Sequence, residues 1–505
     1  MKKNSPISAS VILAALLCAG AARADVTPEQ VWQEWKDYYA SMGGTISAAS
    51  ETRDGDALVV KDVKWSQGTD ATVKTEMTMP EIRLTDKGDG TVEMTIPEDG
   101  DMTVAIDPAD GKPSVNKIKV AQKGLSVIAS GTVESMDYTF AVPDLTFSID
   151  KISADGKDEP VSIVLGTKGA SGTSHFEKSG GRTTTGQMKA DQVTMTLKGT
   201  TPETKEDFDA SFEIDGVTTT SSSVMPETVA MSDINAAMQG GFATKGDIAY
   251  ASAAFKFNGT GTDGKVGAEG GNGGGKMMFS MSKDGIAYSG ESSDGKVSVT
   301  GPMPFPIEAS VAQSAFSIAM PIMKSDDAKP ASMLVKLVDL TVSDALWNMA
   351  DPSGKLPHDP ATLVLDLSGS LKPLIDLFDP KQAEEFAKKP AADGSAAPAP
   401  FELSAVKINE LHAKAVGADL TGTGDLTLDN SSSPPKPVGT VELNLTGANK
   451  LMDGLVGMGL LAEDQVMGYK MMMGMFTVPK GDDAVTSKLE FKDDGGIYAN
   501  GQRLQ

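Results

Sequence analysis

Apolar and polar residues alternate along most of this chain. Val92, Met94 and Ile96 are separated by polar residues, and Met102, Val104 and Ile106 repeat the spacing. The same period runs through Tyr138, Phe140 and Val142, then Leu145, Phe147 and Ile149, then Val161, Ile163 and Leu165. Val193, Met195 and Leu197 continue it, as do Phe208, Phe212 and Ile214. A period of two puts every second side chain on one face, so each run predicts a strand with one apolar and one polar face. Asp89-Gly90, Asp110-Gly111 and Asp215-Gly216 lie between runs and read as hairpin turns. Later runs are Met277, Phe279 and Met281, then Val297 and Val299, then Met333, Val335 and Leu337, then Leu363, Leu365 and Leu367. Phe401–Val406, Asp425–Asp429 and Val441–Leu445 close the series. Helices do not alternate with these strands, which excludes a parallel α/β enzyme. The expected fold is mainly β (α+β): a large curved antiparallel sheet or sheets, an N-terminal helix and a Met-rich C-terminal helical segment.

Helical period interrupts the pattern in a few places. Thr27 and Gln30 form a capping box and Pro28 suits a first turn. Val31, Trp35, Tyr38 and Met42 then share a face until Gly43-Gly44. This helix reads as a cover for one end of a sheet, with a ligand-binding aromatic patch as the alternative. Asp344–Met349 reads as a short helix or turn. Asn449–Leu461 and Glu463–Phe476 read as a helical pair or one bent helix, unusually rich in Met. Met is flexible and polarisable, so such a surface adapts to irregular apolar partners, although Met also fills gaps in ordinary cores. The candidate apolar contacts are Met452, Leu455, Met458, Met471, Met472 and Met473.

Composition divides the chain. Residues 1–24 read as a cleaved signal peptide, with Lys2 and Lys3 before a mostly apolar Ile7–Ala22 and Ala22-Arg23-Ala24 at the cleavage site. The apolar part is shorter than the ~20 residues of a spanning helix, and no later stretch reaches that length. Residues 25–257 form the N-terminal helix and a β-meander, and 258–275 a glycine-rich loop or junction. A second β region follows at 276–389, then a Pro/Ala linker at 390–400 and a C-terminal β-helix-β module at 401–505. The single cysteine, Cys18, falls inside the leader after Leu17, so neither a disulfide nor a thiolate metal site is expected in the exported chain. A net charge of -24 repels nucleic acid and anionic membranes.

Catalytic chemistry finds no foothold. His175, His358 and His412 are far apart and lack partners at ligand spacing. Gly270–Lys276 imitates a phosphate loop, but Met277 stands where a magnesium-binding hydroxyl is needed and strand alternation follows. Asp86–Gly90 and Asp107–Gly111 lack the oxygen ligands of a calcium loop. No enzyme, cofactor, metal site or nucleic-acid partner is expected, and no transmembrane segment after signal cleavage.

Two stretches carry a resemblance. Val342-Ser343-Asp344-Ala345-Leu346-Trp347-Asn348-Met349-Ala350-Asp351-Pro352 with Leu356–Leu363, and the closing Asp494–Gly501, resemble an alphaproteobacterial envelope family, domain of unknown function 2125. The meander also looks like AsmA-like envelope proteins, whose long sheets form apolar grooves, by analogy of architecture alone. The expected function is a non-enzymatic periplasmic protein that binds a lipid or other apolar ligand or supports the envelope. The alternative is a β-sandwich that works through envelope protein partners and holds no ligand.

Overall fold

The computed structural model describes residues 25–67, 73–108, 112, 114–154, 157–201, 206–227, 233–261, 264–388, 399–432 and 434–504. The leader with Cys18, the Asp110-Gly111 turn and most of the 390–400 linker lie outside the described residues.

Alternation becomes one 27-stranded sheet, antiparallel at every described pairing, with a separate hairpin of Ile152–Ala154 and Lys157–Glu159. The strands join a single hydrogen-bonded sheet rather than two stacked ones. Order along the sheet follows the chain, with two forks. Strand Val73–Asp86 pairs through its last residues with Val92–Thr95 and through its first with Asp99–Pro108. The branches rejoin on Ser135–Ile149. Asp207–Pro226 forks in the same way onto Ala243–Tyr250 and Ser252–Gly261, and Gly285–Thr300 reunites them.

Among the described residues six helices decorate this sheet: α1 Pro28–Ser41, α2 Ile234–Gln239, α3 Asp344–Ala350, α4 Pro380–Ala387, α5 Ala448–Gly457 and α6 Glu463–Phe476. In α1 the capping box forms as expected, with Gln30 N–H donating to Thr27 Oγ1 and Thr27 N–H to Gln30 Oε1. Helices α2 and α4 were not anticipated from the sequence. The glycine-rich stretch 258–275 is not a loop: it supplies the end of Ser252–Gly261, all of Gly264–Asn272 and the start of Gly275–Ser282. Most of its described glycines are strand residues, and neighbouring rings lie over Gly259, Gly270 and Gly275, which composition alone does not disclose.

A crease crosses the strands. In Val161–Lys178 the apolar face carries Ile163 and Leu165, then Ala170 and Phe176, so the alternation changes phase within one strand. Gly169 absorbs the change at φ 62°. Gly216 does so at φ 62°, and Asp62, Asp294 and Asp339 at φ 51–53° in their strands. Register passes Gly169, Gly216, Asp62 and Asp294 with no extra residue on either strand, so each is a left-handed kink, and at Asp339 the register to the next strand shifts as well. Asp215-Gly216 therefore lies inside a strand and is not the hairpin turn its sequence suggested. Because phase changes at the crease, apolar side chains stay on the same face. Val142 and Val193, from opposite sides of it, both pack on Ala170, Ala190 and Val217.

The chain exposes 29617 Å², against about 17,600 Å² for a compact monomer of this mass. A single layer adds to this area, since one sheet has no second layer to bury its apolar face.

Candidate functional site: an apolar face with one covered end

Register aligns the apolar positions into rows that cross the strands. One row runs Leu58, Leu84, Met94, Val127, Phe140, Gly172 and Met188. It continues through Thr219, Ile248, Met277, Gly290, Phe316, Val335 and Leu365. Leu411, Gly422, Leu443 and Ser487 complete it. Across the crease a second row links Phe147, Leu165, Met195, Phe212, Phe255, Gly270, Val297, Ala309 and Val342. No residue in either row carries a charge.

Glycines in these rows sit under rings. A Cβ on Gly172 would meet the Phe140 ring at 2.6 Å, one on Gly290 the Phe316 ring at 2.5 Å, and one on Gly270 the Phe255 ring at 2.8 Å. Each ring lies flat over its neighbour's backbone, so the face is smooth instead of studded. Two adjoining depressions of about 880 and 440 Å³ are formed by the strands of the second row and share Phe212, Phe255, Val297 and Ala309. Phe212, Ile248 and Phe316 are 43%, 40% and 42% exposed.

At its first end the face is covered. Helix α1 places Val31 and Trp32 against Leu58, Val60, Leu84, Val92, Met136 and Phe176, and all of these are buried. Trp35 Nε1 donates to Tyr138 Oη at 3.1 Å. Burial raises the Tyr138 hydroxyl to about 12, the Trp35 hydrogen bond opposing this in part. Beneath the helix the buried Glu34 carboxylate is bound by Lys178 Nζ and Arg182 Nη1. The Arg182 guanidinium also lies 4.2 Å from the Tyr38 ring centroid and 3.8 Å from that of Phe176. A buried carboxylate is retained only where cations and hydrogen bonds replace its water, and here two cations do so. The aromatic residues of α1 thus pack on the sheet, as a cover does.

Other polar clusters fix loops. The buried Asp351 accepts from Leu356 N–H at 2.7 Å and from Ser353 Oγ at 3.2 Å, and His358 Nε2 lies 3.6 Å away. Backbone N–H groups of Leu356 and Lys355, before the Ser353 and His358 side chains, hold this carboxyl below the usual carboxylate range. His358 stacks on Trp347 at 4.2 Å between centroids. His175 pairs with Asp137 and His412 with Asp419, in separate strands. Among the described residues no group of three His, Cys, Asp or Glu side chains is placed to hold a metal. Among them, too, no helix is long and apolar enough to cross a membrane.

The six Met and Leu contacts read from the sequence fall on the helical pair. Met452, Leu455 and Met458 on and just after α5 are half-buried, Met471 and Met472 on α6 are exposed, and Met473 is half-buried. Lys470 Nζ on α6 reaches Asp453 Oδ1 on α5 at 3.5 Å, so the two helices are neighbours. None of the six belongs to the sheet rows. Of Phe212, Ile248, Phe255 and Phe316 the alternating runs singled out only Phe212, and register shows that all four lie on continuous lines.

Residues 275–504 match the family described as "Uncharacterized protein conserved in bacteria (DUF2125)". No curated protein and no solved structure matches the chain. That region holds the Trp347–Leu363 and Asp494–Gly501 stretches, and through it the chain is similar to this family.

Proposed function

We propose that this chain is a non-enzymatic periplasmic protein that holds a lipid-like apolar ligand against its sheet. One observation carries the reading: the uncharged rows stay open to solvent over many strands beyond the end that α1 covers. Soluble monomers rarely leave contiguous apolar patches beyond a few hundred Å² exposed, and larger ones mark binding grooves or interaction sites. Uncharged rows with rings over their glycines suit an extended aliphatic ligand, and the charged side chains that line the two depressions, Glu213 and Lys296 among them, stand outside the rows. The leader-like first 24 residues support delivery to the periplasm.

Native mass spectrometry of protein purified gently from its own host's periplasm, followed by organic extraction, tests this. The expected result is a lipid-like adduct that a folded Phe212→Asp/Phe316→Asp variant loses. A bare mass from the wild-type protein under conditions that preserve weak complexes defeats the reading and shifts the role to a protein partner on the same face.

A further inference from the structure

Helix α6 presents a second apolar surface, distinct from the sheet rows. Met467, Met471 and Met475 recur every four residues and are 69%, 68% and 53% exposed, with Met472, Tyr469 and Leu460 also exposed. Val466 on the opposite side is buried. A helix apolar on all sides belongs inside something, yet the described residues leave this side of α6 open. We propose that α6 docks onto a zwitterionic lipid surface, which brings the open sheet face to the membrane from which its ligand comes. The inference rests on the ligand reading above and adds where the ligand is exchanged.

Three features choose lipid as the occupant. The first is continuity with the ligand face. Ser487 ends the long apolar row beside Leu443, and its Oγ donates to the Phe476 carbonyl at the end of α6 at 2.7 Å. Asn500 Nδ2 donates to the same carbonyl at 2.9 Å. The second is charge. From Gln465 to Phe476 Lys470 is the sole charged side chain and Asp453 pairs with it, while the acidic Glu463 and Asp464 stand at the helix start, so the Met patch itself carries little charge on a chain of net charge -24. Such a patch suits neutral head groups, whereas the rest of the chain is repelled by anionic ones. The third is the side chains themselves. Apart from Tyr469, α6 offers flexible Met with no Arg, and flexible side chains conform to an irregular apolar surface such as fluid acyl chains. Its 14 residues extend ~21 Å, short of the ~30 Å hydrocarbon core, so it lies in the surface and does not span it.

Flotation of the purified protein with phosphatidylcholine vesicles tests the proposal, beside a Met467→Ser/Met471→Ser/Met472→Ser/Met475→Ser variant. These positions are exposed, so the variant keeps its fold, checked by circular dichroism. Wild type is expected to float, and the variant's partition to fall by more than about a hundred-fold. The variant should retain the adduct seen by native mass spectrometry. Equal flotation of the two proteins overturns the proposal, as does wild type that carries adduct yet stays at the bottom. A wild-type dimer that the four substitutions convert to monomer also overturns it, since a second copy then covers α6. Loss of adduct in the Phe212→Asp/Phe316→Asp variant with flotation intact separates this surface from the ligand face.

Discussion

Leu84 and Phe316 occupy the same row of the same sheet, yet Leu84 is 0% and Phe316 42% exposed. Strand pattern and register are alike at both. The difference is α1, which lies on the first strands and is absent from the later ones. An alternating sequence makes an apolar face wherever it occurs, and whether that face becomes a core or a binding surface depends on what else the chain supplies to cover it. Here the largest cover is one amphipathic helix at one end, a smaller cluster around α2 packs on Met281 and Ile286, and much of the face between is left for another molecule.

The comparison breaks first at the cover itself. Trp32→Ala removes a fully buried indole from the α1 interface and should cost about 3–5 kcal/mol, read as a lower urea midpoint. Phe316→Ala, on the uncovered half, should cost only about 1 kcal/mol because the ring is already half in water. Equal losses at the two sites would mean that the open half is covered in solution. Glu34→Ala comes next. It strands Lys178 and Arg182 under the helix, and breaking a buried pair from one side costs about 3–5 kcal/mol. Faster hydrogen exchange across 28–41, with protection unchanged around Phe316, is the expected pattern.

Alkaline pH loosens the same end more gently. Tyr138 is an acid whose folded pKa is raised to about 12 by burial, above the ordinary value of about 10. Its neutral form is favoured in the fold, so the stabilising effect is fully present below pH ~10 and is lost as pH rises toward ~12, at most about 3 kcal/mol. Tyr138→Phe should flatten this part of the stability profile in urea titrations at several pH values. A profile that keeps its slope in the variant would place the alkaline sensitivity elsewhere.

Much of this fold was legible. Strand after strand coincides with the alternating runs, and α1, α3 and the α5–α6 pair lie where helical period or caps put them. What escaped has a common physical cause. Tyr138–Val142 and Leu145–Ile149 read as two runs because their phases differ, yet they are halves of Ser135–Ile149. A phase break marks a left-handed kink within a strand as well as a turn, and Asp-Gly serves both, so Asp215-Gly216 was assigned to a hairpin. Helices α2 and α4 are too short to show a periodic stripe. The candidate contacts were sought where Met clustered, whereas the larger face is assembled by register, which links residues far apart in sequence.

The left-handed kinks also permit the finest test of the comparison, because they occur in both halves. Asp62 lies under the covered half and Asp294 in the open half, at φ 51° and 52°, and both side chains are exposed. Left-handed backbone costs a residue with a Cβ roughly 1–2 kcal/mol, and Asn and Asp tolerate it better than most. Asp62→Val and Asp294→Val should therefore each lose about 1–2 kcal/mol, while Asp→Gly at either site stays close to wild type. The two valine variants should match, because the penalty belongs to the backbone and not to the cover. A loss at Asp62 alone would show that α1, by holding the first strands in place, sets the bend there and that the open half flexes freely at its crease.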